Sequence, residues 1–313
     1  MRIGVVAIGR NEGERLVACL KSALRDTPRV VYVDSGSTDG SVERARSLGA
    51  QVVQLDLSIP FTAARSRNAG FERLMQVAPD VEAVQFIDGD CELVEGWLTT
   101  ATEALQQDAS LAVVCGRRRE RRPGASIYNR LCDMEWDTPV GVARSCGGDA
   151  LIRSSAFRQV GGYNPSLIAG EEPEMCVRLR ATGWVIRRVD AEMTLHDAAM
   201  TRFAQWWKRN VRAGHAFAEG YALHGAPPER FRQREVRSNY AWATPLLWPF
   251  WPLLWAKVFL RRRSVAYATF VTLSKLPQAI GQLTYAWNRF RGRKTRLIEY
   301  KQVVPAPRAV EHG

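Results

Sequence analysis

Short apolar runs alternate with helical periodicities through the first 115 residues of the chain. Five such runs predict β-strands, over residues 3–8, 30–33, 52–55, 84–87 and 111–115. The segments between them repeat apolar residues at the spacing of amphipathic helices, over residues 12–24, 41–48, 63–75 and 96–105. This alternation predicts an α/β fold in which helices cover both faces of a mixed, mostly parallel sheet.

Two acidic residues follow predicted strands directly. Asp34 comes after the second run, and Asp88 comes after the fourth. Because ligands of open α/β sheets bind at the carboxyl ends of the strands, both carboxylates are expected beside a ligand. Asn11, followed three positions later by Glu14, predicts a capped helix start just after the first strand.

The alternation stops after residue 115. A cluster of arginines ends in Pro123-Gly124 and predicts a loop, either solvated or facing an anionic acceptor; it comprises Arg117, Arg118, Arg119, Arg121 and Arg122. Further along, an acidic group at Glu171, Glu172 and Glu174 precedes a helical pattern over residues 175–181.

The last third of the chain differs in composition. The net charge is +12, and residues 201–301 carry 19 Lys/Arg against 4 Asp/Glu, so this segment favours an anionic partner. Residues 203–221 have the pattern of a basic amphipathic helix, and residues 242–256 are almost wholly apolar. That run is shorter than the roughly 20 residues of a membrane span and contains prolines, so we expect it to lie in one leaflet.

These differences predict three regions: residues 1–200 as a catalytic domain, 201–302 as a basic, tryptophan-rich helical membrane-associating region, and 303–313 as a disordered tail. The six cysteines show no paired spacing, which predicts reduced buried thiols and no zinc site. The chain begins with an apolar strand and not with a leader-like sequence, which predicts a cytoplasmic protein.

Four stretches in order carry a resemblance to a known family. They are Gly9-Arg10-Asn11-Glu12, residues 33–39 with the sequence VDSGSTD, Asp88-Gly89-Asp90, and Gly170-Glu171-Glu172. Over residues 1–200 this chain resembles the GT-A glycosyltransferases of family 2. The resemblance implies an inverting enzyme that takes a sugar from a nucleotide diphosphate donor, in particular a UDP-sugar, with a divalent metal, Mn²⁺ or Mg²⁺.

The resemblance assigns roles to the acidic strand ends. Asp90 is expected to ligate the metal, and Asp88 to contact either the donor ribose or the metal. Asp34 is expected to accept a hydrogen bond from the donor nucleoside, with Asn11 nearby. The alternatives are a simple Asp-Gly-Asp turn after a strand and an exposed Asp34 beside a cap formed by residues 37–39.

Four further residues match the family pattern. Arg67, in Arg67-Asn68-Ala69-Gly70, is expected to help hold the nucleotide, the alternative being a solvated helix arginine. Gly148 and Asp149 are expected to line the donor sugar and acceptor pocket. His196 is expected to complete the metal shell, although a lone histidine is also a common structural residue.

An inverting transfer requires a base that deprotonates the acceptor hydroxyl. The family has Glu-Asp at the position of Glu171-Glu172, so Glu172 takes the place of the aspartate base, with Glu171 and Glu174 as the other candidates. The alternative is a group of acids that favours the N-terminus of a helix.

Together these features predict a transferase bound peripherally or monotopically at the cytoplasmic membrane face, acting on a lipid-linked or cell-envelope polysaccharide acceptor. A polyprenyl-phosphate sugar synthase is the nearest alternative. A dinucleotide-dependent dehydrogenase is disfavoured because only Gly9 and Gly13 follow the first strand. A nucleic-acid partner is not expected, since the basic residues lie among tryptophans and prolines.

Overall fold

The computed structural model describes residues 1–293 together with Thr295 and Ile298. One mixed sheet forms the centre of the molecule, in the order β3-β2-β1-β4-β8-β6-β9-β5, with β7 paired to β9. Its strands are β1 (Ile3–Gly9), β2 (Val30–Asp34), β3 (Gln51–Gln54), β4 (Ala83–Asp88), β5 (Cys91–Leu93), β6 (Leu111–Glu120), β7 (Gly141–Ala143), β8 (Ala150–Arg153) and β9 (Val185–His196).

The sheet is continuously parallel through β3-β2-β1-β4. Strand β8 runs antiparallel to both β4 and β6, while β6 and β9 are parallel to each other. The prediction of a mostly parallel sheet therefore holds for the first four strands, where a helix separates each strand from the next. It does not hold beyond them, because the alternation of strands and helices ends there.

Helices cover the sheet in the first two-thirds of the chain. They are α1 (Glu14–Asp26), α2 (Ser41–Ser47), α3 (Ala63–Val77), α4 (Trp97–Gln107), α5 (Ile127–Trp136), α6 (Ser154–Gln159) and α7 (Glu171–Ala181). The predicted helix start at Asn11 is wrong. Helix α1 begins at Glu14 after the cap residue Gly13, because the Asn11 side chain binds another loop.

The prediction of a loop over the arginine cluster is confirmed for Arg121 and Arg122 but wrong for Arg117, Arg118 and Arg119. Strand β6 continues to Glu120, paired with β9 as far as His196. Each arginine of this extension has a carboxylate partner: Arg117 pairs with Asp133 at 3.0 Å, Arg118 with Asp149 at 2.9 Å and Arg119 with Glu192 at 2.5 Å. The partners lie elsewhere in the sequence, so the pattern of charged residues around the arginines could not identify them.

Five helices and one 3-10 turn follow from residue 203. They are α8 (Phe203–His224), α9 (Gln233–Ala243), the 3-10 helix Pro245–Phe250, α10 (Trp251–Arg262), α11 (Val265–Leu273) and α12 (Lys275–Phe290). The helix predicted over residues 203–221 is confirmed as α8. The predicted tail from Val303 lies outside the described residues.

Glycines allow α8 and α12 to pack with their backbones close together. A Cβ at Gly214 would lie 1.9 Å from the carbonyl oxygen of Gln278, and one at Gly281 would lie 2.0 Å from that of Val211. Helix α8 also packs against α5 and α11, with Trp206 buried beside Phe270 at a ring distance of 5.0 Å. Within the described part of the chain, no helix is both long and apolar enough to cross a bilayer.

Candidate active site

The loops after β1 and β2 are joined by reciprocal hydrogen bonds. The N–H of Asn11 donates to Ser37 Oγ at 2.9 Å, and the N–H of Thr38 donates to Asn11 Oδ1 at 2.7 Å. Asn11 adopts a left-handed backbone conformation, φ 55°, which asparagine tolerates better than most residues. These bonds order the carboxyl ends of two parallel strands before any ligand binds.

Asp34 is buried, so the alternative of an exposed side chain is wrong. Its Oδ2 accepts the N–H groups of Gly36 and Ser37, both at 2.9 Å, and its Oδ1 accepts the Tyr32 hydroxyl at 2.9 Å. Burial and the carboxylate of Asp34 raise the pKa of Tyr32 above its usual value, so Tyr32 stays a donor. The cap residue of α2 is Gly40 and not one of residues 37–39, although Asp39 accepts the N–H of Ser41 at 3.0 Å.

Arg67 is buried between two predicted site carboxylates, and the alternative of a solvated arginine is therefore wrong. Its guanidinium donates to Asp88 Oδ1 at 2.7 Å and to Glu171 Oε1 at 2.6 Å. Burial disfavours the charged form, but the two carboxylates outweigh it and raise the pKa of Arg67 above its ordinary value. This bridge connects the end of β4 to the start of α7.

The residues around Arg67 explain its motif. Gly70 lets α3 lie against the sheet, since a Cβ there would be 2.3 Å from Cγ1 of Val6. Asn68 holds the backbone of Tyr163 through two hydrogen bonds, of 2.8 and 3.0 Å. Thr62 caps α3 by accepting the N–H of Arg65 at 3.1 Å. The helix is therefore held at its start, at its middle and against the strands, which aims the guanidinium.

Asp149 is completely buried just before β8 and contacts three strands, β4, β6 and β9. Its Oδ1 accepts the N–H of Asp88 at 3.2 Å, its Oδ2 accepts the Thr194 hydroxyl at 2.9 Å, and Arg118 completes the group. Gly148 is packed between charges, because a Cβ there would lie 3.0 Å from Arg67 Nη2 and 3.3 Å from Asp88 Oδ2. The structure thus places both residues beside Asp88, as structural supports of that carboxylate.

Asp90 and His196 are brought together by the pairing of β5 with β9, in which Cys91 is opposite His196. His196 Nε2 lies 3.4 Å from Asp90 Oδ2, and both residues are buried. His196 Nδ1 has no hydrogen-bond partner and lies 3.8 Å from Glu120 Oε2. A carboxylate oxygen and an imidazole nitrogen this close fit a divalent cation, with Cys91 in the same group. Asp88, which was predicted as a ligand as well, is engaged by Arg67.

The three glutamates of the acidic group occupy the first turn of α7 and point to different partners. Glu171 holds Arg67, whereas Glu172 Oε1 accepts the N–H of Cys146 at 2.6 Å and the thiols of Cys146 and Cys176 at 3.1 Å each. Glu174 is paired with Arg178 at 2.7 Å and with His224 at 2.9 Å. Glu174 therefore has a structural role.

A cavity of about 460 Å³ lies at this edge of the sheet, and of the predicted site residues Asp34, Gly148, Asp149, Glu172 and His196 do not line it. Its floor comes from the ends of β1 and β4 and from Glu171, and its other wall comes from α8 and the segment after it. The predicted site residues Asn11, Arg67, Asp88 and Asp90 line it. Residues that the sequence analysis did not place in the site also line it, namely Arg10, Arg15, Phe61, Arg209, Arg212, Phe217, Phe231 and Arg232.

The arginines of α8 were predicted to face a membrane. Arg209 and Arg212 instead line the cavity, where Arg209 also pairs with Glu135 at 2.7 Å and Arg212 donates to the carbonyl of Ile168 at 3.0 Å. A helical pattern shows which residues share a face, but it does not show what that face meets. The arrangement gives the cavity several cations facing a group of carboxylates.

Comparison with known proteins agrees with this geometry. The family model described as "Glycosyl transferase family 2" matches residues 5–159. The pre-mycofactocin glycosyltransferase of Mycobacterium tuberculosis is 28% identical over 213 residues, which are 64% of this chain and 43% of that protein. The succinoglycan biosynthesis protein ExoA of Rhizobium meliloti is 27% identical over 231 residues, covering 69% of this chain and 68% of that protein. The chain thus spans less than half the length of the first of these relatives.

Among solved structures, the mannosyltransferase PcManGT from Pyrobaculum calidifontis, in complex with GDP-Man and Mn²⁺, has a TM-score of 0.62 at 17% identity. The match covers 92% of this chain and 88% of that one. It shows that the mixed sheet and its helices have the GT-A fold. From these motifs, this fold and the family match, residues 5–159 belong to glycosyl transferase family 2.

Proposed function

We propose that the protein is an inverting glycosyltransferase that moves a sugar from a nucleoside diphosphate donor, in particular a UDP-sugar, to a lipid-linked or cell-envelope polysaccharide acceptor. The observation that carries the proposal is the single cavity in which Asp88, Asp90 and Glu171 face Arg10, Arg209 and Arg212. The carboxylates suit a cation and a donor ribose, and the guanidiniums suit a diphosphate.

In the proposed reaction, the acceptor hydroxyl oxygen attacks the anomeric carbon while the bond to the diphosphate breaks on the opposite face. One displacement inverts the configuration, so a single base suffices. Asp90 and His196 would hold the divalent cation, which supplies positive charge to the leaving diphosphate. The arginines of the cavity add further charge on the side of α8.

We assign the base to Glu172. Glu171 is adjacent, but its carboxylate already accepts a hydrogen bond from the buried guanidinium of Arg67 at 2.6 Å. Glu172 accepts hydrogen bonds from one backbone N–H and two thiols, and it pairs with no cationic side chain among the residues that the structure describes. Glu171 is then a positioning residue that acts through Arg67 and Asp88.

The donor site is tested by titrating the protein with UDP, with and without Mn²⁺. We expect binding that depends on the metal, and Asp90→Ala should weaken it by at least about tenfold because a metal ligand is removed. Asp80→Ala is the matched control, since Asp80 precedes β4 at the opposite end of that strand and pairs with Arg2. If UDP does not bind, GDP and dTDP are titrated next, and failure of all three contradicts the donor site.

The base is tested with matched amide variants. Glu172→Gln should lower kcat by about 10²- to 10⁴-fold and leave the Kd for donor unchanged, since general base catalysis contributes about that much. Glu172→Asp should retain part of the activity because it keeps the carboxylate. Glu171→Gln should weaken donor binding as well, because Arg67 loses a partner. An active Glu172→Gln enzyme would assign the base elsewhere.

We further propose that the protein works at the cytoplasmic face of the membrane. The support is a group of exposed apolar side chains on the 3-10 helix and α10, which we call the C-terminal apolar patch: Leu246, Trp248, Phe250, Leu253 and Leu260. Leu246 is 79% exposed and Leu253 is 67% exposed. The exposed Arg261, Arg262 and Arg263 follow directly, and cations beside apolar and tryptophan side chains suit anionic lipid headgroups.

Flotation with vesicles of anionic and neutral lipids tests this surface. The protein should float with anionic vesicles, and the triple variant Leu246→Gln/Leu253→Gln/Leu260→Gln should float at least about fivefold less, because burial of each leucine contributes about 1.5–3 kcal/mol. Leu57→Gln is the control, since Leu57 is 65% exposed and lies far along the chain from the patch. Equal flotation of all three proteins would exclude the patch as the membrane contact.

A polyprenyl-phosphate sugar synthase is the second candidate. It is favoured by the aromatic side chains Phe61, Phe217 and Phe231, which line the same cavity as Arg212 and Arg232 and suit an acceptor with both a phosphate and an apolar chain. Thin-layer chromatography after mild acid distinguishes the two, because a sugar carried by one lipid phosphate is released as a monosaccharide, whereas a lipid-linked glycan acceptor releases a longer saccharide.

A further inference from the structure

Two cysteines thirty residues apart meet at the proposed base. Cys146 lies in the loop between β7 and β8, and Cys176 lies on α7, yet their sulfur atoms are 3.8 Å apart. Both thiols also lie 3.1 Å from Oε1 of Glu172. The sequence spacing predicted no zinc site, and it could not predict this one, because the loop and the helix are brought together only by the fold.

The three atoms have the spacing of a metal site. Two sulfurs bound at about 2.3 Å to one tetrahedral Zn²⁺ lie about 3.8 Å apart, which equals the distance seen here. A sulfur and a carboxylate oxygen on the same ion lie about 3.5 Å apart, so the oxygen would need to move by only a few tenths of an ångström. All three ligand atoms lie within 4.8 Å of one another.

The backbone also suits a metal. Glu172 and Cys176 are four residues apart on α7, so their side chains project from one face of the helix. The N–H of Cys146 holds the Glu172 carboxylate at 2.6 Å, which fixes the loop against the helix. Cys176 is buried and Cys146 is only partly exposed, and a water molecule would be the fourth ligand of a tetrahedral ion.

We propose that Cys146, Glu172 and Cys176 bind one Zn²⁺ ion, at a site separate from Asp90 and His196, and that this ion inhibits transfer by taking the Glu172 carboxylate. On binding, two sulfur–metal bonds and one oxygen–metal bond form, and the two thiol protons pass to the buffer without any change of oxidation state. The sulfur ligands select Zn²⁺ over Mg²⁺ and Mn²⁺, which prefer oxygen. The inhibition rests on the proposed function, whereas the binding does not.

Cobalt is the probe for binding, because Co²⁺ takes the same geometry and shows a charge-transfer band only when thiolate is bound. The Asp90→Ala/His196→Ala chain, kept reduced with a phosphine, lacks two of the three ligands of the Asp90, Cys91 and His196 group, so that group does not contribute to the measurement. We expect one equivalent of Co²⁺ to produce the band and one equivalent of Zn²⁺ to abolish it.

Cysteine variants in that background locate the site. Cys146→Ala and Cys176→Ala should each weaken binding by at least about tenfold, since each removes a ligand. Cys132→Ala is the control, as Cys132 is buried in a separate apolar cluster with Leu131 and Trp206. A folded parent chain that gives no band, or a band that survives in the Cys146→Ala/Cys176→Ala double variant, would overturn the proposal.

Inhibition is measured on the chain with Asp90 and His196 intact, with Zn²⁺ added at fixed Mn²⁺. Cys176→Ala should require at least about tenfold more Zn²⁺ for half inhibition than the unmodified chain. If Zn²⁺ binds at the cysteines but turnover is unchanged, the inhibitory part of the proposal is wrong and Glu172 is not the base. If no donor is turned over at all, the proposed function fails while the cobalt result still decides the metal site.

Discussion

The buried guanidinium of Arg67 is the interaction on which the proposed site depends. It joins Asp88, at the end of β4, to Glu171, at the start of α7, and it is only 3% exposed. An arginine in this position costs several kcal/mol to desolvate, so it is stable only while both carboxylates remain in place. The positions of the donor-side carboxylate and of the helix that carries the proposed base are therefore coupled.

Several features of the fold hold this arginine in place. Gly70 brings α3 against β1, and Asn68 binds the backbone at Tyr163. On the other side, Asp149 receives the N–H of Asp88 and pairs with Arg118. A second set of charges thus supports the first. The loop containing Gly148 lies between the two guanidiniums, where a side chain would meet Arg67 Nη2 at 3.0 Å.

The sequence predicted the local features of this arrangement well. Strands β1 to β4 and helices α1 to α4 were predicted from apolar periodicity, which is a property of the local sequence. Asp34 and Asp88 were found because strand ends meet at one edge of a sheet, whereas Asp90 was assigned through the family resemblance. What the sequence could not show are contacts between distant segments. Arg117, Arg118 and Arg119 extend β6 and pair with Asp133, Asp149 and Glu192, which lie elsewhere in the sequence. Cys146, in the loop before β8, contacts Cys176 on α7.

The same limit applies to the helices after residue 203. Their amphipathic pattern predicted a membrane-facing surface, yet Arg209 and Arg212 of α8 line the cavity. The exposed apolar side chains are on the 3-10 helix and α10, further along. One helix thus contributes charge to the proposed site, and the segment that follows carries the exposed apolar side chains of the proposed lipid contact. This arrangement would bring a membrane-bound acceptor close to the donor.

The central claim, that Arg67 couples the two sides of the site, is tested most directly by a double-mutant cycle. Urea unfolding is measured for the unmodified chain, Arg67→Met, Glu171→Gln and the double variant. We predict that the double variant loses less stability than the sum of the single variants, by at least about 1 kcal/mol, because each single change leaves a buried charge without its partner. Additive losses, within about 0.5 kcal/mol, would contradict the account.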